Sequence, residues 1–315
     1  MIKTFRKPFQ RFIHFSVALF FLGSFAAADY VVIPKGEGLN CQRIVSVSPA
    51  LSDMMSELKI DDRIVGATRY CKLPFSRSRE IVGGYFDLNF EKVASLKPDI
   101  VFLEGTINNP VAQRLDALGV KNRVFSLDTL DEMEAAKQEI GHYCEGQVVI
   151  GGTTLRDDLK SFIPQDQMGE KKPRVLILYN YGDNAAKILP RLAAGRSFHG
   201  ELLDTLEMEN VYLGSLNAPE LTREAISLLN PEWIFILNGL VGDSTAGRDA
   251  LDVVKVQPKW EFLSAVDAVQ NQRVYEIKGF YTQIPSVTAM RRLGSVFAEL
   301  AYHSEGLSEV KNLEK

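Results

Sequence analysis

Two stretches of this chain, 133 residues apart, carry the same residues at the same spacing. From Glu91, Leu96 follows at +5, Pro98 at +7, Asp99 at +8 and Phe102 at +11. From Glu224 the matching residues are Leu229, Pro231, Glu232 and Phe235. In each copy a short helical stretch begins at the glutamate and the proline leads into an apolar run, Ile100–Leu103 or Trp233–Leu237. Two further pairs recur in the same order. Arg43-Ile44-Val45-Ser46-Val47 is echoed by Arg174-Val175-Leu176-Ile177-Leu178, and Arg123-Val124-Phe125-Ser126-Leu127 by Arg273-Val274-Tyr275-Glu276-Ile277. Self-similarity at so long a period implies two domains on one plan, not a solenoid of short repeats. Similar halves leave a cleft between them, and clefts between domains hold small ligands.

The first residues stand outside that plan. Lys3, Arg6, Lys7 and Arg11 precede a mainly apolar run from Phe12 to Phe25, and Ala26-Ala27-Ala28 supplies small residues before Asp29. A basic flank, a short apolar core and an Ala-x-Ala site describe a secretory signal peptide over residues 1–28. The run falls short of the roughly 20 residues a membrane-spanning helix needs. No cysteine directly follows it, so a free protein in an exported compartment, a periplasm, is expected. Without the segment's four basic residues, 36 Lys+Arg become 32 against 40 Asp+Glu. That acidic balance gives no footprint for nucleic acid. Cys41, Cys71 and Cys144 are an odd count in a compartment that permits disulfides. Cys41 precedes the first strand and Cys144 ends a helix returning to the same sheet edge, whereas Cys71 belongs at the opposite edge. Any bridge is therefore expected between Cys41 and Cys144.

Beyond the signal, apolar runs alternate with helical patterns, the rhythm of a parallel α/β sheet. Strands are expected at Ile44–Val47, Ile64–Ala67, Ile100–Leu103 and Val124–Leu127, then at Val175–Tyr179, Trp233–Leu237 and Val274–Ile277. The expected organisation is an N-terminal lobe over 41–144, a linking helix within 145–172 and a C-terminal lobe over 173–315. A 20-residue helix would span roughly 30 Å, although Gly151-Gly152 weakens that helix.

Enzymatic motifs are absent: the sequence has no G-x-S-x-G elbow, Walker loop, G-x-G-x-x-G after a strand, or H-E-x-x-H. No catalytic residue, metal ligand or cofactor is assigned. His199 is the one histidine near a loop expected to face the cleft. In doubly wound sheets, ligands bind outside the carboxyl ends of the strands. Reading off those ends gives Ser48, Arg69, Tyr70, Tyr85, Glu104, Tyr179, Tyr181, Arg196 and Tyr281, of which Tyr70, Tyr85, Glu104, Tyr181, Arg196 and Tyr281 are assigned to the ligand. Tyrosine faces with hydroxyl tips, and an arginine for carboxylate or phosphate, suit a bulky polar ligand. Glu91 and Glu224 could merely serve the helix dipole. Their equivalence instead suggests a matched pair of acidic knobs for a twofold partner with basic sockets.

These residues resemble the helical-backbone substrate-binding proteins of ATP-binding cassette (ABC) importers for iron complexes and cobalamin. The resemblance rests on Arg43-Ile44-Val45-Ser46, Val65-Gly66, Tyr70-Cys71-x-x-Pro74, Val82-Gly83-Gly84, Asn89-x-Glu91 and Leu96-Lys97-Pro98-Asp99 in the first half. In the second it rests on Gly195-Arg196-Ser197-Phe198, Glu209-Asn210-Val211, Thr222-x-Glu224 and Trp260-x-x-Leu263-x-Ala265-Val266. It implies two α/β lobes with mostly parallel sheets, joined by a long helix, and modest closure on ligand. Glu91 and Glu224 would engage arginines on the two subunits of an inner-membrane permease. Tyr70 and Tyr85 fall where the cobalamin binder has aromatic cleft residues. Glu104 and Phe280 depart from that binder, which has a tryptophan and an acidic residue there. The expected function is capture of an iron chelate, a siderophore, by a monomeric periplasmic protein for an ABC permease. A cobalamin or haem carrier is the alternative of the same fold. An exported enzyme or a metal-cluster scaffold built on Cys71 and His199 is the alternative of another class.

Overall fold

The computed structural model describes residues 41–71, 79–84, 86–106, 109–145, 153–180, 192–193, 195, 197–214, 219–239, 251–256 and 260–303. The signal-peptide segment lies outside them, as do Tyr85, Tyr181 and Arg196.

The first lobe follows the alternation expected. Strand β1 (Ile44–Ser46) ends at Ser48, whose hydroxyl caps α1 (Pro49–Glu57) by accepting from Ala50 N and Leu51 N; proline occupies the first helical position, where no N–H is needed. Then come β2 (Ile64–Ala67), β3 (Glu80–Ile81), α2 (Phe90–Ser95), β4 (Ile100–Glu104), α3 (Pro110–Ala117), β5 (Asn122–Phe125) and α4 (Leu130–Glu145). All strand pairs in this sheet are parallel, in the order β3-β2-β1-β4-β5. Such a sheet needs both faces covered. Accordingly Val45, Val101 and Leu103 pack with Val93 and Leu115 on one face, and Ile44, Ile100 and Phe102 with Leu51 and Met54 on the other. Cys41 and Cys144 form a disulfide with alpha carbons 4.9 Å apart, tying the start of β1 to the end of α4.

The link between the lobes differs from the single helix expected over 145–172. Its described part holds only α5 (Leu155–Lys160), followed by turns. Thr154 and Asp157 form a capping box that starts α5, and Pro164 lies beyond its end. Residues 146–152, including the glycine pair, lie outside the described residues.

The second lobe comprises β6 (Arg174–Asn180), β7 (Leu192–Ala193), α6 (Phe198–Thr205), β8 (Glu209–Asn210), α7 (Arg223–Leu229), β9 (Trp233–Asn238), β10 (Asp252–Lys255), α8 (Asp267–Gln270), β11 (Val274–Lys278) and α9 (Val287–Tyr302). Its sheet runs β10-β11-β9-β6-β7, with β8 also on β6. The inner pairs are parallel, and β10 and β7 join antiparallel at the edges.

The sequence echo is a structural identity. Ile44 pairs with Ile100 in one lobe as Val175 pairs with Trp233 in the other. Arg43 donates to Leu96 O at the end of α2, and Arg174 donates to Leu229 O and Asn230 O at the end of α7. Asp99 Oδ2 accepts from Arg43 N at 2.8 Å, and Glu232 Oε2 accepts from Arg174 N at 3.2 Å. Lys97 and Asn230, just before the two prolines, both turn through the left-handed region (φ 46° and 39°). The echoed arginine and acid thus join the end of a helix to the start of the neighbouring strand. The third echo is displaced by two positions: Phe102 pairs with Arg123, whereas Phe235 pairs with Tyr275, not Arg273. An even displacement keeps each side chain on its own face of the sheet. Strand β5 correspondingly lies two residues earlier than Val124–Leu127.

One apolar core spans both lobes. Met54, Met55 and Ile140 belong to the same buried cluster as Leu202, Phe235 and Phe297. Helix α9 packs on α1, α4, α5 and α6 and so closes the seam between the halves.

Candidate functional site

Contacts across the seam bring together elements that follow the carboxyl ends of strands in both sheets. Tyr281, after β11, donates its hydroxyl to Asp53 Oδ1 in α1 at 2.9 Å. Ser286, the cap of α9, donates to Asp53 Oδ2 at 2.7 Å. Glu201 in the first turn of α6 accepts from Leu130 N at the start of α4, and from Arg156. Elements that follow the carboxyl ends of strands in both sheets thus meet at this seam, beside which the ligand cleft was expected.

On the first-lobe side, hydroxyls cluster in the interior around the carboxyl end of β1. Ser48 donates to Glu104 Oε2 at 2.5 Å, and Ser52 to Ser46 Oγ at 2.8 Å. Thr68 Oγ1 lies 3.1 Å from Cys71 Sγ. Burial pushes the Glu104 carboxyl above its ordinary range; the Ser48 hydroxyl opposes the shift and Asp128 adds to it. Burial also pushes the Cys71 thiol up, the opposite of a reactive thiolate. Tyr70, expected to line the cleft, is 57% exposed.

On the second-lobe side the final residues of β6 and β9, Asn180 and Asn238, are register partners. Both donate through Nδ2 to the buried Glu276 Oε1 at 3.0 Å, and Lys278 lies 3.4 Å from the other oxygen. This polar row was not among the expected site residues. Its trace in the sequence is an asparagine closing each of two apolar runs, VLILYN and WIFILN. His199 is fully buried: Tyr179 donates its hydroxyl to Nδ1 at 2.8 Å, and Nε2–H donates to Thr282 O at 2.9 Å. Desolvation pushes its pKa down to about 4, so the ring is neutral with both nitrogens engaged. The cluster alternative built on Cys71 and His199 thus loses its histidine to a structural role.

Tyr281 needs correction too. It was expected to line the cleft, but it is 1% exposed and its ring lies beneath the Arg292 guanidinium. It belongs to the seam. A tyrosine just past a strand end could serve either role from sequence alone, and only the position of Asp53 on the other lobe decides between them.

Glu91 and Glu224 occupy the first turns of α2 and α7, and both are exposed. Their helices begin with equivalent caps: Asn89 Oδ1 accepts from Lys92 N, and Thr222 Oγ1 from Ala225 N. The Glu224 carboxyl is held below its ordinary range by its own backbone N–H and the Thr222 hydroxyl.

The same fold is found among solved structures. A periplasmic haem-binding protein from Pseudomonas aeruginosa matches with a TM-score of 0.63 at 21% identity, covering 84% of this chain and 93% of that one. This is the fold of the periplasmic binding proteins. A periplasmic vitamin B12-binding protein of Vibrio cholerae shares it at a TM-score of 0.62 and 18% identity, over 83% of this chain and 98% of that one. In sequence, an uncharacterised ABC transporter substrate-binding lipoprotein of Bacillus subtilis is 24% identical over 242 residues, 75% of this chain and 72% of the relative. A vitamin B12-binding protein of Photorhabdus laumondii is 24% identical over 228 residues, 70% of this chain and 77% of that protein. No family model matches the chain. The relatives and neighbours of this binding-protein fold are substrate-binding proteins of the cobalamin, haem and iron-complex type.

Proposed function

We propose that this protein is an exported monomer that captures a metal chelate and delivers it to an ABC permease of the inner membrane. The observation that carries the reading is that elements beyond the carboxyl edges of two copies of one plan meet at a common seam, each copy carrying an exposed glutamate in the first turn of a helix. The Cys41–Cys144 disulfide fits export into an oxidising compartment, as the basic and apolar segment at residues 1–28 does. Within the chelate class, a corrinoid or haem is favoured over the siderophore expected from sequence. Relatives and neighbours are named for vitamin B12 and for haem, and Tyr70 and Phe86 expose aromatic rings suited to a flat macrocycle.

Titration calorimetry of the purified protein with cyanocobalamin, hemin and a ferric hydroxamate tests the cargo. Binding of a macrocycle at micromolar affinity or better is expected. Binding of the hydroxamate alone would restore the siderophore, and failure of all three would sink the chelate reading. Docking has its own test. Glu91→Arg with Glu224→Arg places like charges against basic sockets, so uptake in cells should collapse while cargo affinity stays within about twofold. Normal uptake at normal protein level in that double variant would reduce both glutamates to helix-dipole partners.

A further inference from the structure

In the first lobe, Arg69 and Tyr70 after β2 lie beside Gly83, Gly84 and Asp87 after β3. Tyr70 is 57% exposed and Phe86 is 96% exposed. Large apolar groups exposed on adjoining stretches mark binding surface more often than isolated ones do. The loops are nevertheless knit together. Arg69 N donates to Gly83 O at 3.0 Å, Asp87 Oδ1 accepts from Gly84 N at 2.9 Å, and Arg69 and Asp87 form a bidentate ion pair. The Arg69 guanidinium also lies over the Tyr70 ring, 5.6 Å from its centroid.

Two glycines make this closeness possible. Gly83 has φ +111°, a conformation that side chains rarely adopt. A Cβ on Gly84 would come within 2.5 Å of Asp87 Oδ1, 2.7 Å of the Arg69 guanidinium and 3.2 Å of the Tyr70 ring. The tyrosine ring therefore rests against bare backbone, and the ion pair bridges the two loops from which Tyr70 and Phe86 project.

From this geometry we infer that Arg69 and Asp87 are a positioning pair that holds Tyr70 and Phe86 as a preassembled aromatic rim for the face of a flat, conjugated macrocycle. The inference rests on the metal-chelate reading and deepens it: it names Phe86 as a contact and the ion pair as its brace. An exposed ion pair contributes little to global stability. Its consequence is local, because a bidentate fork fixes two loops in one relative orientation. A rim already in place when the ligand arrives loses less conformational freedom on binding.

The test uses the full mature chain with hemin and cyanocobalamin as separate probes. Affinity is read by titration, and the geometry of binding by the ligand's absorption shift and induced circular dichroism. Phe86→Ala should weaken whichever macrocycle the wild type binds by roughly tenfold or more, the scale for losing an aromatic anchor. Arg69→Ala and Asp87→Ala should each weaken it severalfold and reduce the induced dichroism, with thermal stability unchanged. The Arg69→Ala/Asp87→Ala double variant should be no weaker than the worse single, because either change breaks the brace. Arg69→Lys keeps the charge but not the fork and should recover only part of the loss.

Wild-type affinity in Phe86→Ala and Asp87→Ala overturns the inference while leaving the chelate reading intact. So does normal capture combined with lost uptake, which would assign the rim to the permease. If the wild type binds neither macrocycle, the rim's proposed ligand and the macrocycle reading fall together.

Discussion

His199 and Tyr281 show how a chemically suggestive side chain can be spent on structure. His199 is neutral because burial outweighs its acceptor at Thr282, and its pKa is about 4 against an ordinary 6.5. As pH falls, the unfolded chain takes up this proton first. The stabilisation is therefore complete above about pH 6.5 and is lost between 6.5 and 4, up to about 3 kcal/mol at this one site. Glu104, pushed above its ordinary value, slopes the other way, since the folded chain there keeps its proton longer. The variant is thus the cleaner test. His199→Gln should flatten the acid limb of a Tm-against-pH profile between pH 7 and 4.5; an unchanged slope would mean that His199 does not bury its neutral form. Tyr281→Phe removes one donor from Asp53 in a buried site and should cost about 1–3 kcal/mol in urea unfolding. Ligand affinity should stay within about twofold, whereas a lining role would lower affinity and spare stability.

At the scale of elements, the duplicated corner explains the echo better than function does. Arginine at the strand start, leucine and a left-handed residue at the helix end, proline, then an acid on the strand's backbone make one device, used in both lobes. The lobes differ in how fully the acid is used. Asp99 Oδ2 accepts from both Gln42 N and Arg43 N at 2.8 Å, whereas Glu232 reaches one backbone N–H and pairs with Lys171. Asp99→Ala should therefore destabilise more than Glu232→Ala, by about 1 kcal/mol for the additional charge-assisted bond on a solvent-accessible corner. Equal losses in chemical denaturation would show that the second bond contributes nothing. The glutamates at +0 stand apart from the device. Glu91 and Glu224 are exposed and take no part in the corner's bonds to the strand starts, which leaves them available to a partner.

At the scale of the molecule, the halves are not independent beads. Helix α9 carries Thr288 and Arg291 to Glu57 on α1, and Arg291 also reaches Asp158 beyond the lobe boundary. Together with Asp53 and the common apolar cluster, these bonds set the seam on which any opening of the cleft must turn. The disulfide acts on a different part: it closes a separation of 103 residues that contains nearly all of the first lobe. Cys41→Ala with Cys144→Ala should lower stability by about 4–5 kcal/mol on the chain-entropy account. A loss below about 1 kcal/mol would mean that the unfolded first lobe is already compact without the bridge.

The sequence by itself determined the strand order in time, the doubling of the plan, the two equivalent glutamates and the cysteine pair that could meet. Each follows from local chemistry: apolar period, caps, proline, or a residue pattern repeated at fixed distance. Tertiary structure decided everything that depends on which surfaces meet. The two-residue shift of the third strand pair and the short edge strands depend on pairing partners elsewhere in the chain. Tyr70 is exposed and Tyr281 is buried in the seam, although both are tyrosines just beyond strand ends. What separates them is an aspartate more than 200 residues away in sequence, and no local pattern encodes that distance.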